Sequence, residues 1–132
     1  MIVLDTNIIL DTFLFNDPAT VPLKAALAAK EIRWIATPPM REELARVLDY
    51  PKIAVRLAFY QLSAAAVLAQ FDELVHTMDV APKASVTCTD PDDQKFIDLA
   101  VAHAATLLSK DNAVLCMSKR LLALDVRARV AI

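Results

Sequence analysis

Ile2-Val3-Leu4-Asp5-Thr6-Asn7 opens the chain with a short apolar strand that runs into a carboxylate and then into a helical segment. That order of parts places Asp5 at the carboxyl end of its strand. In open α/β sheets, this edge is where ligands bind. The same order recurs at Thr106-Leu107-Leu108-Ser109-Lys110-Asp111, which sets Asp111 beyond a second strand. Helix capping is the ordinary alternative for either residue, because Asp is a good N-cap.

Outward from these two segments, strands alternate with helices. Residues 2–4, 32–36, 74–77, 106–109 and 126–131 read as strands. Residues 6–15, 18–30, 38–48, 53–72 (split near Ser63), 90–104 and 112–122 read as helices. Pro38 and Pro39 suit a first helical turn, Pro51 breaks the helix that follows, and Asp90-Pro91 forms a cap and first turn. Such alternation predicts a parallel sheet covered on both faces.

The 132 residues fit one domain spanning 1–132. The apolar fraction of 57% is high, yet it is distributed as stripes and short strands without a run long enough to cross a membrane. Asp5 interrupts the N-terminal apolar run too early for a signal peptide, so a cytoplasmic location is expected. Cys88 and Cys116 lack metal-ligand spacing and read as reduced thiols filling the core. The chain contains no glycine, which excludes the P-loop, the GxGxxG turn and the GxSxG elbow. The net charge of −2 gives no global field for nucleic acid. Lys119, Arg120, Arg127 and Arg129 cluster late in the sequence, as a solvated face or, alternatively, as a surface that tracks phosphates.

Helical phase separates a few acids from the rest. In the helix after Asp90, Phe96, Ile97, Ala100, Val101 and Ala104 form the buried stripe. Asp93 falls within roughly 10° of its centre, and Asp98 about 130° away, which predicts a solvated Asp98. Asp93 is therefore aimed at the sheet edge from a helix N-terminus that favours its charge, with a capping-type bond to a backbone N–H as the alternative. On the Pro38 helix, Glu43 lies about 85° from the apolar centre and Glu42 about 175°, so Glu42 faces water and Glu43 sits at the boundary. An i,i+3 pair with Arg46 is an equally good reading of Glu43.

Four segments carry a family likeness: Leu4-Asp5-Thr6-Asn7, Arg41 to Leu48 (REELARVL), Asp90 to Ala100 (DPDDQKFIDLA) and Leu107 to Asp111 (LLSKD). With these segments in this order, the chain resembles the PIN-domain nucleases, in particular the toxins of VapC-like toxin–antitoxin pairs. The resemblance implies a three-layer α/β/α fold with a parallel sheet of about five strands in order 3-2-1-4-5. The strands before Asp5 and Asp111 are then neighbours at the switch point. It further implies Asp5, Glu43, Asp93 and Asp111 as catalytic and metal-holding residues, hydrolysis of RNA, a cognate antitoxin and a homodimer. Two departures stand out. Many relatives carry a further acid where this chain has Ala113, and Ile132 ends the sequence sooner than is usual.

Clustered carboxylates repel one another unless a cation neutralises them. An all-oxygen donor set suits Mg²⁺ or Mn²⁺. Asn7 and Ser109 are candidates for hydrogen bonds to those carboxylates or to a phosphate. His76 and His103 stand apart from one another and read as structural. One alternative is a Mg²⁺-dependent phosphatase of the haloacid-dehalogenase type, which needs an Asp where Asn7 stands. Another is a phospho-receiver domain, whose phosphoacceptor follows the third strand rather than the first. A third is a PIN fold that binds RNA or antitoxin without cleaving, a reading Ala113 leaves open.

Overall fold

The computed structural model describes residues 1–132. From the amino terminus the elements are β1 (Ile2–Leu4), α1 (Thr6–Phe13), a 3₁₀ turn (Pro18–Thr20), α2 (Val21–Ala28), β2 (Trp34–Ala36), α3 (Pro38–Leu48), α4 (Pro51–Phe59), α5 (Ala64–Leu74) and β3 (Val75–Thr77). There follow a second 3₁₀ turn (Pro91–Asp93), α6 (Gln94–His103), β4 (Thr106–Leu108), α7 (Asn112–Leu115), α8 (Ser118–Leu122) and β5 (Ala128–Arg129). The five strands form one parallel sheet in the order β3-β2-β1-β4-β5, with helices on its faces, as expected.

The central strands read as continuous apolar runs because both faces are covered. Ile2, Val3 and Leu4 of β1 are all buried, as are Leu107 and Leu108 of β4. Around them, Phe13 stacks on Trp34 at 5.7 Å between ring centroids, and Phe71 meets Trp34 edge-on at 5.2 Å. These rings lock α1 and α5 to β2. Register between the central strands matters most for function. Ile2 pairs with Thr106 and Leu4 with Leu108, so Asp5 and Ser109 leave the sheet side by side at its switch point.

Several elements are shorter or more broken than the sequence suggested. Pro51 sits at the start of α4 rather than simply ending α3, consistent with its fixed φ. A stretch expected as one helix over 112–122 is two, α7 and α8, interrupted at Cys116 and Met117 with no proline to announce the break. Cys88 is buried, but Cys116 is exposed, because the inward positions on this segment go to Val114 and Met117.

A chain without glycine still needs left-handed turns. Asn16, Lys30, Gln61, Ala104 and Asp125 take positive φ instead. At the end of α6, Ala104 has φ 48° and ψ 43°. Its N–H donates to Val101 O, and the Ala105 N–H donates to Ala100 O at 2.9 Å. That is a Schellman-type cap carried by a residue with a Cβ.

Candidate metal centre

Asp5 follows β1 in extended conformation and makes no capping bond into α1, so the capping alternative fails for it. Its Oδ2 accepts a 2.7 Å hydrogen bond from Ser109 Oγ. The same Ser109 oxygen accepts from the backbone N–H of Asp111 at 3.0 Å. Asp111 does cap its helix, taking the Ala113 N–H on Oδ1 at 2.9 Å. Capping holds that side chain still without using all of its oxygen lone pairs.

Asp93 closes the 3₁₀ turn Pro91–Asp93 and leads into α6, while Asp90 caps that turn through the Asp92 N–H. Asp93 is buried, as the helical phase predicted, and its neighbour Asp92 is exposed. Ligand oxygens of Asp5, Asp93 and Asp111 lie within 4.8 Å of one another. Asp93 Oδ2 is buried with no hydrogen-bond partner. Burial, a proton shared with Asp111, and the nearby charges of Asp5, Asp111 and Asp90 push the Asp93 carboxyl up to about 8. Asp5 is also raised, first by burial and further by Glu43 and Asp111, with the Ser109 hydrogen bond opposing the rise. Three crowded carboxylates and an orphaned buried oxygen suit a hard divalent cation, which would supply the missing partner and relieve the repulsion.

Glu43 does not join that cluster. It is half-buried and turned aside. Thr6 Oγ1 donates to its Oε2, and Lys95 Nζ sits 2.7 Å from its Oε1. The alternative pairing with Arg46 is not formed. Glu42 faces solvent. Asn7 is exposed and bonds to none of the four acids; it lines an apolar groove with Leu10, Val47, Tyr50 and Ile53. Thr6 and Lys95 were not singled out from the sequence.

Asp98 is half-buried rather than solvated. It accepts from the Ala84 N–H at 2.9 Å and from Gln94 Nε2 at 2.8 Å. Gln94 also accepts from the Cys88 N–H and donates to Val86 O. These bonds tie the irregular stretch before Asp90 to α6, and so fix the approach to Asp93. Cys88 lies near enough for the acids to raise its thiol further after burial has done so, but its Sγ donates to Ala113 O. His76 is exposed on the edge strand β3, and His103 lies in the last turn of α6.

The late basic residues Lys119, Arg127 and Arg129 line a groove of about 280 Å³ with Ser118 and Leu122. Arg129 O accepts from the Ser109 N–H at 2.9 Å, so the backbone of β5 runs beside the strand end that carries Ser109.

A family model for the PIN domain matches residues 1–113. Among solved structures, the chain is similar to a chain in the crystal structure of VapBC2 from Rickettsia felis bound to a DNA fragment from their promoter. That likeness has a TM-score of 0.66 at 17% identity, and covers 97% of this chain and 98% of the other. Compared by sequence with curated proteins, the chain matches none.

Proposed function

The chain belongs to the PIN-domain family, and from that premise we propose that it is a metal-dependent endoribonuclease, the toxin of a VapC-like toxin–antitoxin pair. One observation carries the proposal. Asp5, Asp93 and Asp111 converge within 4.8 Å at the sheet's switch point, with a buried Asp93 oxygen left unpartnered.

Asp5, Asp93 and Asp111 hold the ion in this reading. A bound Mg²⁺ or Mn²⁺ supplies Lewis acidity at the scissile phosphate and makes a water more acidic. Ser109 orients Asp5 and steadies the backbone of Asp111 through a single hydroxyl. Glu43, held by Thr6 and Lys95, orients the attacking water in this reading. Lys119, Arg127 and Arg129 offer cations to the RNA backbone beside the cleft.

An antitoxin and a second copy of the chain are the proposed protein partners. Support comes from α4, where Val55 and Phe59, one helical turn apart, are 68% and 77% exposed. No single helix is long and apolar enough to cross a membrane. We place the protein in the cytoplasm, where RNA is available to it.

The test is cleavage of single-stranded RNA with Mn²⁺ or Mg²⁺, comparing the wild type with Asp93→Asn. Metal-dependent cleavage that disappears in the variant is expected. Cleavage that persists in the variant, or that proceeds in EDTA, would overturn the proposal. Phosphomonoester hydrolysis without RNA cleavage would favour the phosphatase reading.

A further inference from the structure

Both oxygens of Glu43 are engaged, and neither partner is a metal ligand. Oε2 accepts from Thr6 Oγ1 on α1, and Oε1 pairs with Lys95 Nζ on α6. The Lys95 ammonium is itself fixed from two further sides. It donates to Asp92 O at 2.5 Å and stands 4.9 Å above the ring of Phe96. The pair is largely withdrawn from solvent, with side-chain exposures of 26% for Lys95 and 16% for Glu43. Ion pairs so placed are screened less than surface pairs and hold geometry better. Glu43 stands in electrostatic reach of Asp5, yet outside the group formed by Asp5, Asp93 and Asp111.

We propose that Lys95 is a positioning residue which, with Thr6, holds Glu43 outside the ion's ligand set, so that three aspartates alone bind the divalent cation. This rests on the metal-dependent reading above. Released from Lys95, Glu43 becomes a fourth carboxylate able to turn toward the cluster. Affinity of oxygen sites for divalent ions rises with the number of charged ligands. Mg²⁺ sites that work on phosphates use few carboxylates and keep several waters. Lys95 therefore keeps binding moderate and coordination positions open for water and phosphate.

The test is calorimetric titration of the whole chain with Mn²⁺, without RNA, in the wild type and in Lys95→Met, Lys95→Arg, Glu43→Gln, Asp5→Asn and the Lys95→Met/Glu43→Gln double variant. Asp5→Asn removes a ligand and weakens binding by about tenfold or more. Glu43→Gln changes it less than about threefold, on the scale of a remote charge. Lys95→Met tightens binding about tenfold as a fourth carboxylate joins, Lys95→Arg stays at the wild-type value, and the double variant loses the tightening. Weakening in Glu43→Gln equal to that in Asp5→Asn makes Glu43 a ligand and overturns the proposal. So does tightening that survives in the double variant, since Lys95 then acts by its own charge alone. Glu43→Gln keeps the proposal testable should Lys95→Met fail to fold. Intact Mn²⁺ binding without RNA cleavage counts against the ribonuclease reading only.

Discussion

Ser109 Oγ donates to Asp5 Oδ2 at 2.7 Å, joining two residues 104 positions apart that the parallel register of β1 and β4 sets side by side. The same oxygen receives the Asp111 N–H. One hydroxyl thus fixes two of the three aspartates. Ser109→Ala leaves a buried carboxylate short of a donor and a backbone N–H short of an acceptor. The expected cost is about 1–2 kcal/mol of stability. Mn²⁺ affinity should fall by about tenfold or more, as it does when partners of metal ligands are removed. Calorimetric titration checks this, and unchanged affinity would mean that the hydroxyl does not orient Asp5.

The pH dependence of the metal-free protein follows from the raised carboxyls. Asp93 is pushed from 3.8 to about 8, so between those values the native state keeps a proton that the unfolded chain has lost. Stability from this group is therefore fully present below 3.8 and is lost as pH rises through about 8. Asp5, also raised, acts in the same direction. Scanning calorimetry in EDTA should show Tm falling as pH increases across that window. Asp93→Asn should flatten the slope and stabilise the metal-free chain near the top of the window by at least about 1 kcal/mol, or about 4 °C. Mn²⁺ affinity should rise with pH over the same range, because the ion competes with the proton. A wild-type Tm that climbs with pH in EDTA would contradict the assignment.

The basic groove predicts a salt effect. Arg129 is in register with Leu108, one residue before Ser109, so the strand that carries it runs alongside the one that leads to the acidic cleft. Each phosphate neutralised on a single strand contributes a slope of about −0.7 in log K against log salt. The Arg127→Ala/Arg129→Ala variant should weaken binding of a short single-stranded RNA and reduce that slope by about 1–1.5. Fluorescence anisotropy in EDTA, where the RNA stays intact, gives the measurement. An unchanged slope would return these residues to being a solvated face.

The site was partly legible in the sequence because phase and order carry through a fold. Asp5 and Asp111 each follow an apolar strand, and nothing more is needed to put them on one sheet edge. Asp93 lies in line with Phe96, Ile97 and Ala100, and it remains inward although the chain enters α6 through a 3₁₀ turn. Helical phase also marked Glu43 as a boundary residue, but it could not say what waits across the boundary. Its two partners lie 37 and 52 residues away, on α1 and α6. Thr6 looks like any first-turn residue, and Lys95 like ordinary surface charge. Asp98 departs from its expected solvation for a similar reason. The wheel places it off the core, but a loop from earlier in the chain folds over it and takes its oxygen.

The cap of α6 gives a prediction separable from function. Ala104 holds a left-handed conformation that costs a residue with a Cβ about 1–2 kcal/mol. Glycine removes that cost and restores part of it through its looser unfolded chain, about 0.4–1 kcal/mol. Ala104→Gly should therefore stabilise the protein by about 0.5–1 kcal/mol, or about 2–4 °C in Tm. The substitution sits at the far end of α6 from Asp93, roughly 15 Å along a helix of this length. Mn²⁺ affinity and RNA cleavage should stay at wild-type values. A lower Tm would show that the Ala104 methyl contributes packing worth more than its strain. A changed Mn²⁺ affinity would show that the helix transmits its end geometry to Asp93.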